Sequence, residues 1–299
     1  MLSRRQFLRG LATLSFGTAA FGGYAAAEPW RLNVTRYRLT PKGWPKDFRL
    51  RLAVIADVHA CRPWMSPDRI RQIVARTNAL SADCVLLLGD YVAGQRLGRY
   101  ASKVDGAEWA AALKGLEAPL GVHAVLGNHD WWNDAEAMKR GDGLPDVGRA
   151  IQDAGLRLYQ NDALRLEKDG RPFWIAGLGD QIAFVPTRGW RAPRYGIDDL
   201  PGTLARAADD APLILMAHEP DIFPKVPDRV ALTVSGHTHG GQLNIFGWRP
   251  IVPSRYGQRY AYGRKVEEGR NLIVSGGLGA SVVPMRIGAP PELVTIDLG

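Results

Sequence analysis

The chain has 299 residues, enough to bury a full core as one large domain or two small ones, and its 46% hydrophobic content is ordinary for a soluble globular protein. Arg4, Arg5 and Arg9 contribute three of the net charge of +8, and 8 − 3 leaves a modest +5 for the rest of the chain. This charge suits an anionic substrate or a membrane surface. No run of Lys and Arg is interleaved with aromatic residues, so the sequence indicates no specific nucleic-acid binding.

The first 27 residues have the features of an export signal. Arg4 and Arg5 precede Phe7 and Leu8, an uncharged run follows from residue 10, and residues 25–27 offer an A-x-A cleavage site. This pattern resembles a bacterial twin-arginine signal, which engages export machinery that carries folded proteins. We expect a signal peptide at residues 1–27 and a folded domain at residues 28–299. We also expect a periplasmic or envelope location, with or without association with the membrane. A Sec signal or an uncleaved anchor are the alternatives, although the run is rich in small residues and suits a permanent span poorly.

The following stretch predicts alternating strands and helices. Residues 32–39 alternate polar and apolar positions, as a half-exposed strand does, and residues 49–55 enter the first core strand. Ser66 and Pro67 predict a helix start, and the apolar face that follows carries the helix to about Leu80. A second apolar run at residues 85–88 completes a βαβ unit. Further helices are predicted at residues 108–116, 146–154 and 198–208, with short strands between residues 156 and 177.

Five apolar runs, each typical of a buried strand, end in side chains that can bind a metal ion or move a proton. These side chains are Asp57 and His59, Asp90, Asn128 with His129 and Asp130, His218, and His237 with His239. Five of the six histidines lie at such ends, whereas His123 lies inside an apolar run and is predicted to be an ordinary core residue. On an extended chain Asp57 and His59 would point to the same side. The set offers nitrogen and oxygen ligands without thiolate, which suits Mn, Fe or Zn.

Other titratable residues carry less information. Cys61 and Cys84 form no zinc-binding pattern, and the sequence leaves open whether they pair in a disulfide. Asp180 also ends an apolar run, but we predict a structural role for it.

The ordered motifs Asp-x-His, Gly-Asp, Gly-Asn-His-Asp, His and Gly-His-Thr-His-Gly-Gly-Gln resemble the calcineurin-like metallophosphoesterase family. The resemblance runs from about Leu50 to the C-terminus, and the late stretch at residues 274–279 is similar to the bacterial envelope branch exported by the twin-arginine route. It implies an α/β fold, a four-layer αββα sandwich of two mixed β-sheets flanked by helices, with a dinuclear metal site at the strand ends.

The resemblance also implies roles for individual residues. Two divalent metal ions (Mn, Zn or Fe) would be held, one by Asp57, His59 and His239, the other by Asn128, His218 and His237, with Asp90 between them. A metal-activated hydroxide would attack phosphorus. His129 is next to a ligand without being one, so we predict that it is the general acid, oriented by Asp57 or Asp130.

One departure from the family concerns the substrate. Protein phosphatases of this family carry Asp and Arg shortly after Gly-Asp, whereas Tyr91 and Val92 follow here. We therefore expect a phosphodiester or a pyrophosphate, such as that of a lipid or an envelope polymer, rather than a phosphoprotein. A pyrophosphatase that acts on a lipid-linked or nucleotide-sugar substrate is an alternative. A non-catalytic metal-holding envelope protein is the rival interpretation, and a metallo-β-lactamase-type hydrolase is disfavoured because the chain has no His-x-His-x-Asp-His run.

Overall fold

Two six-stranded mixed β-sheets organise the protein in the computed structural model, which describes residues 22–93, 101–184 and 195–299. The first sheet contains, in spatial order, Asn33–Leu39 (β1), Glu292–Leu298 (β14), Leu50–Ile55 (β2), Cys84–Leu87 (β4), Val122–Ala124 (β6) and Arg157–Leu158 (β7). The second contains Gly263–Glu267 (β12), Arg270–Val274 (β13), Val230–Ser235 (β11), Leu213–Met216 (β10), Arg171–Gly177 (β9) and Asp162–Lys168 (β8). A small ribbon pairs Cys61–Arg62 (β3) with Ser102–Lys103 (β5).

The strand directions determine where the loops meet. Strands β2, β4, β6 and β7 are parallel, as are β13, β11, β10 and β9, while β12 and β8 pair antiparallel at the edges of the second sheet. Strand β14 is parallel to β1 and antiparallel to β2. Because parallel strands end at the same edge, the loops that follow β2, β4 and β6 lie together, and so do those that follow β10 and β11.

Helices cover the outer faces of the sheets. The α-helices are Pro67–Asn78, Gly106–Leu113, Asn128–Trp132, Ala135–Arg140, Asp146–Asp153 and Leu200–Ala205. The 3₁₀-helices are Glu28–Trp30, Pro220–Lys225, His239–Gly241 and Gly257–Tyr260, and residues 22–27 are helical as well. Within the described ranges no helix has the length and apolar character needed to cross a membrane.

Apolar side chains fill three spaces between the layers. Between the two sheets, Leu86 of the first sheet and Ile214 of the second belong to one fully buried cluster. Outside the first sheet, Trp109 and Ile151 of the helices pack in a cluster with the sheet, and a third cluster covers the outer face of the second sheet. Helix, sheet, sheet and helix therefore form four layers, and the predicted fold class is confirmed.

Most predicted elements are present, with differences where local propensity is weak. Ser66 caps the helix that begins at Pro67 and accepts a hydrogen bond from the Arg69 N–H at 3.4 Å. The helix predicted over residues 108–116 begins earlier, at Gly106, because Asp105 caps it. Ala135–Arg140 forms a short helix where only a polar stretch was expected, with Asp134 as its cap. The predicted loop over residues 91–108 lies partly outside the described residues, since the structure does not describe residues 94–100.

The segment around the predicted cleavage site packs on the domain. Residues 1–21 of the predicted signal lie outside the described residues. Ala25 is fully buried, and Glu28 accepts a hydrogen bond from the Gly288 N–H at 2.8 Å. Arg69 donates to the Pro29 carbonyl and lies 4.7 Å from the centre of the Trp30 ring. Packing therefore begins a few residues before the predicted boundary, which remains a prediction.

Both cysteines are free thiols in the structure, and both are buried. The Cys61 side chain belongs to the apolar cluster outside the first sheet, and the Cys84 side chain belongs to the cluster between the sheets.

Candidate metal centre

The loops after five strands bring the predicted site residues together at one edge of the sheets. Five of these residues have backbone φ values in the left-handed region: Asp57 (+53°), His59 (+47°), Asp90 (+56°), His237 (+68°) and His239 (+53°). This region is uncommon for residues other than glycine and marks functional sites. The expectation that Asp57 and His59 share a side because the chain is extended is therefore wrong. Tight left-handed turns, rather than a continued strand, aim these side chains.

One buried group contains Asp57, His59, Asp90 and His239, whose candidate ligand atoms all lie within 4.8 Å of one another. The Nε2 atoms of His59 and His239 are 3.0 Å apart, and His59 Nε2 is 3.6 Å from Asp90 Oδ2. His239 Nε2 is 3.8 Å from Asp57 Oδ1. Such close approach of two imidazoles and two carboxylates leaves room for little more than a cation among them.

A second buried group contains Asp90, His218 and His237. His218 Nε2 is 3.3 Å from Asp90 Oδ2, and the rings of His218 and His237 meet edge to face at 5.1 Å. Asn128 is 1% exposed in the adjoining loop. Asp90 belongs to both groups, which is the position that a bridging carboxylate needs. The division of the residues into two sets agrees with the division predicted from the sequence, while their ligand roles remain predictions.

Three of the predicted metal ligands each have a buried atom without a hydrogen-bond partner among the described residues: Asn128 Oδ1, His218 Nε2 and His237 Nδ1. An unpaired buried polar atom is costly, so these atoms indicate a missing partner. His59 Nδ1 contacts the Val92 carbonyl at 2.9 Å and His218 Nδ1 contacts the Leu88 carbonyl at 2.5 Å. Such contacts place the ring proton on Nδ1 and leave Nε2 as a lone-pair donor, as in metal-binding histidines. The donor set therefore fits divalent cations.

Gly127 makes the approach of the loops possible. A Cβ atom at this position would lie 2.4 Å from Asp90 Oδ1 and 2.6 Å from His218 Cε1. Only glycine lets the backbone after β6 come this close to the residues of both groups.

Burial and mutual charge set the protonation of the centre. Burial raises the pKa of Asp57 to about 7 and lowers that of His59 to about 4. Burial alone would raise the pKa of Asp90, but the neighbouring imidazoles of His218 and His129 outweigh it and hold this pKa well below its usual range. Bound cations would change the ionisation of these groups. Perturbed pKa values of this kind are typical of functional sites.

Asp130 joins two of the loops. Its Oδ2 accepts hydrogen bonds from the Asp90 and Gly127 N–H groups, both at 2.9 Å. Its Oδ1 accepts from the Tyr91 N–H at 2.8 Å and the Val92 N–H at 3.4 Å. These contacts show a carboxylate that positions backbone, and the predicted catalytic role of Asp130 stays a prediction.

His129 lies at the mouth of the centre and is partly exposed. Its backbone N–H donates to Asp90 Oδ1 at 2.8 Å, and its ring is 5.1 Å from that of His59, measured between centroids. Trp132 contacts the same ring edge to face at 5.3 Å. The imidazole is thus within reach of a ligand at the centre.

The structure adds two residues that the sequence reasoning missed, Glu219 and Arg286. Glu219 forms a buried acidic pair beside His218 with Asp180, whose predicted structural role stays a prediction, and each has one unpartnered oxygen among the described residues. Glu219 follows His218 directly, and this adjacency was the available sign. Arg286 is fully buried and its Nη2 is 3.3 Å from His239 Nδ1. No local pattern marks Arg286, because its partners are backbone carbonyls brought near by the fold.

The comparisons identify the class of protein that this centre defines. The model of the calcineurin-like phosphoesterase family matches residues 50–241, so the chain belongs to this family, as predicted. Calcineurin-like phosphoesterases use a dinuclear divalent metal site, and the chain is a phosphoester hydrolase.

Relatives match along nearly the whole chain. The metallophosphoesterase YkuE of Bacillus subtilis strain 168 is 29% identical over 305 aligned positions, which cover 99% of this chain and 98% of YkuE. The phosphodiesterase YaeI of Escherichia coli K12 is 26% identical, with 100% of both chains covered. Among solved structures, the NAD nucleotidase of Haemophilus influenzae aligns with a TM-score of 0.45 and 16% identity, over 76% of this chain and 50% of that one.

Proposed function

We propose that the protein hydrolyses phosphodiesters, with the two residue groups that share Asp90 each holding a divalent cation. The observation that carries this proposal is the adjacency of both groups to the partly exposed His129. A metal store needs the buried groups alone, whereas a hydrolase also needs a proton donor for the leaving group. YaeI, which aligns over its full length, is named a phosphodiesterase, and this supports the proposal.

Each part of the centre has a chemical role in the proposed reaction. Bound cations neutralise phosphate oxygens and lower the pKa of water. Asp57, His59 and His239 would hold one cation, Asn128, His218 and His237 would hold the other, and Asp90 belongs to both groups. His129 donates a proton to the departing oxygen, and the hydrogen bond from its backbone N–H to Asp90 fixes its distance from the centre.

The residue after Asp90 supports a substrate other than a phosphoprotein. Tyr91 is 1% exposed, its hydroxyl donates to the Val125 carbonyl at 3.0 Å, and its ring stacks on Trp109 at 5.4 Å. Tyr91 is therefore part of the apolar cluster outside the first sheet, and it presents no charged group to a substrate. A small phosphodiester, whose phosphate alone must reach the centre, needs no such group.

The first test is hydrolysis of bis-p-nitrophenyl phosphate by the metal-stripped protein, before and after addition of Mn²⁺ or Zn²⁺. We expect metal-dependent turnover that disappears in Asp90→Ala and persists in Asp105→Asn, a control at an exposed helix cap. Stoichiometric metal binding without turnover of any diester would favour the non-catalytic metal-holding protein or a narrow pyrophosphatase.

A second test isolates His129. If His129 is the general acid, His129→Ala lowers hydrolysis strongly for a diester with an alkyl leaving group and much less for nitrophenolate, which departs without a proton. Equal losses for both leaving groups would show that the imidazole only positions the substrate.

We also propose that the enzyme is exported and acts in the cell envelope. The pairing of Arg4 with Arg5 before an uncharged run supports this location. Changing both arginines to lysine should abolish export, with Arg9→Lys as the matched control. Undiminished export of the double variant would exclude the twin-arginine route.

A further inference from the structure

An apolar cavity of about 250 Å³ opens beside the candidate metal centre. The loops after β11 and β13 line it, and Thr238 and His239 are among the lining residues. His239 therefore lines both the cavity and the centre. A molecule whose phosphate lies at the centre can place its next chemical group in the cavity.

The lining offers a ligand hydrocarbon and few polar atoms. Leu243, Ile251 and Val283 contribute aliphatic side chains. The amide of Gln242 accepts from the Ser281 N–H at 2.9 Å and donates to the Val283 carbonyl at 2.9 Å. These two hydrogen bonds join the loops, and the polar groups that make them are satisfied within the protein. What remains for a ligand is apolar surface whose burial is favourable.

The rim of the cavity exposes large apolar side chains to solvent. Ile251 is 68% exposed, Val282 is 53% exposed and Val283 is 38% exposed. Val282 also has a φ of +63°, a strained conformation for a β-branched residue. A contiguous apolar rim and local strain both mark sites that bind something.

We propose that this cavity binds the hydrocarbon chain of an amphiphilic phosphoester, so that the substrate is of the phospholipid class. This inference rests on the proposed function and specifies its substrate. The cavity shares His239 with the centre, so a group covalently attached to a phosphate at the centre can reach it. An amphiphilic molecule that enters beside His239 places its phosphate at the cationic centre and its hydrocarbon chain against the aliphatic lining. A flat membrane surface or a second copy of the protein would cover the rim and leave the cavity empty.

The experiment compares binding of n-butyl and n-octyl phosphate to the Mn²⁺-loaded full chain by calorimetry, below the micelle concentrations. We expect octyl phosphate to bind at least about tenfold tighter, since four more methylenes leave water. Ile251→Asp and Val283→Asp should reduce this ratio to within about twofold of one, because a carboxylate in the cavity opposes hydrocarbon. Val266→Asp is the matched control: Val266 is 55% exposed on β12 outside the cavity, and its variant should keep the ratio.

Several outcomes would overturn the inference. A ratio near one in the wild-type protein excludes chain binding, and a ratio that persists in both cavity variants places the chain elsewhere. A ratio near one together with vesicle flotation or dimerisation that Ile251→Asp abolishes would assign the rim to a membrane surface or a second copy. Hydrolysis of butyl and octyl nitrophenyl phosphates is measured in parallel. A chain-length ratio in binding without any hydrolysis would support the cavity and refute the proposed reaction.

Discussion

Arg286 offers a quantitative test of how the centre is held. This fully buried guanidinium donates to the carbonyls of Gly276, Gly279 and Ala289 at 2.8–2.9 Å, and it lies 3.3 Å from His239 Nδ1. Burial lowers the pKa of Arg286 to about 10, with Asp57 opposing, so the side chain is charged at pH 7. We predict that Arg286→Met destabilises the protein and weakens metal binding through His239.

The magnitude follows from the bonds that are lost. Three carbonyls lose their guanidinium donor, two of them in fully buried bonds, and each unsatisfied buried polar group costs about 1–3 kcal/mol. Part of this cost is offset because a buried cation is removed as well. We therefore expect a net loss of about 3–5 kcal/mol, a large part of the 5–15 kcal/mol typical of a folded domain.

The assay is denaturant unfolding of the metal-stripped protein, followed by metal titration of the folded variant. Arg264→Met is the matched control, because Arg264 is exposed on β12 and makes one side-chain bond, to Asn271 at 2.9 Å. Arg286→Lys keeps the charge and some of the bonds and should fall between wild type and Arg286→Met. A loss below about 1 kcal/mol for Arg286→Met, with unchanged metal affinity, would refute the reasoning.

Three further predictions concern the centre and its surroundings. Gly127→Ala should weaken metal binding at least about tenfold in calorimetry, because its Cβ would lie 2.4 Å from Asp90 Oδ1, while Gly106→Ala, with its nearest contact at 3.7 Å, should not. Asp57, whose pKa burial raises to about 7, holds a proton below that pH, and the Asp90 carboxylate raises the pKa of His218 against the effect of burial. Both protons compete with the cation, so affinity should fall at least about tenfold per pH unit below 7, and a flat profile would contradict this. Glu28→Ala should lower the free energy of unfolding by about 1–3 kcal/mol, because the Gly288 N–H loses its buried acceptor. Unchanged stability would show that the segment around Glu28 does not hold the loop after β13.

The strands and the membership of the candidate site were predictable because both depend on local patterns, whereas the four-layer arrangement followed from the resemblance to the family. Apolar runs such as residues 85–88 are long enough to be recognised as strands, and the polar residues after them must lie at the sheet edge. Asp90 and His218 were found in this way, although they are far apart in the chain.

The parts that were missed depend on tertiary structure. The left-handed turns at Asp57 and His59 cannot be inferred from residues that normally avoid that conformation. Arg286 is recognisable only once the carbonyls around it are in place. The short helix Ala135–Arg140 lacks a strong apolar period and is held by its Asp134 cap and its neighbours.

The most direct test of the two-cation centre is the metal content of the purified chain after loading with Mn²⁺ and removal of free metal. The arrangement of the two groups around Asp90 predicts two ions per chain, and about one ion in Asn128→Ala, which removes the proposed ligand of one ion alone. A single ion in the wild-type protein, or two ions that persist after Asp90→Ala, would contradict the shared centre.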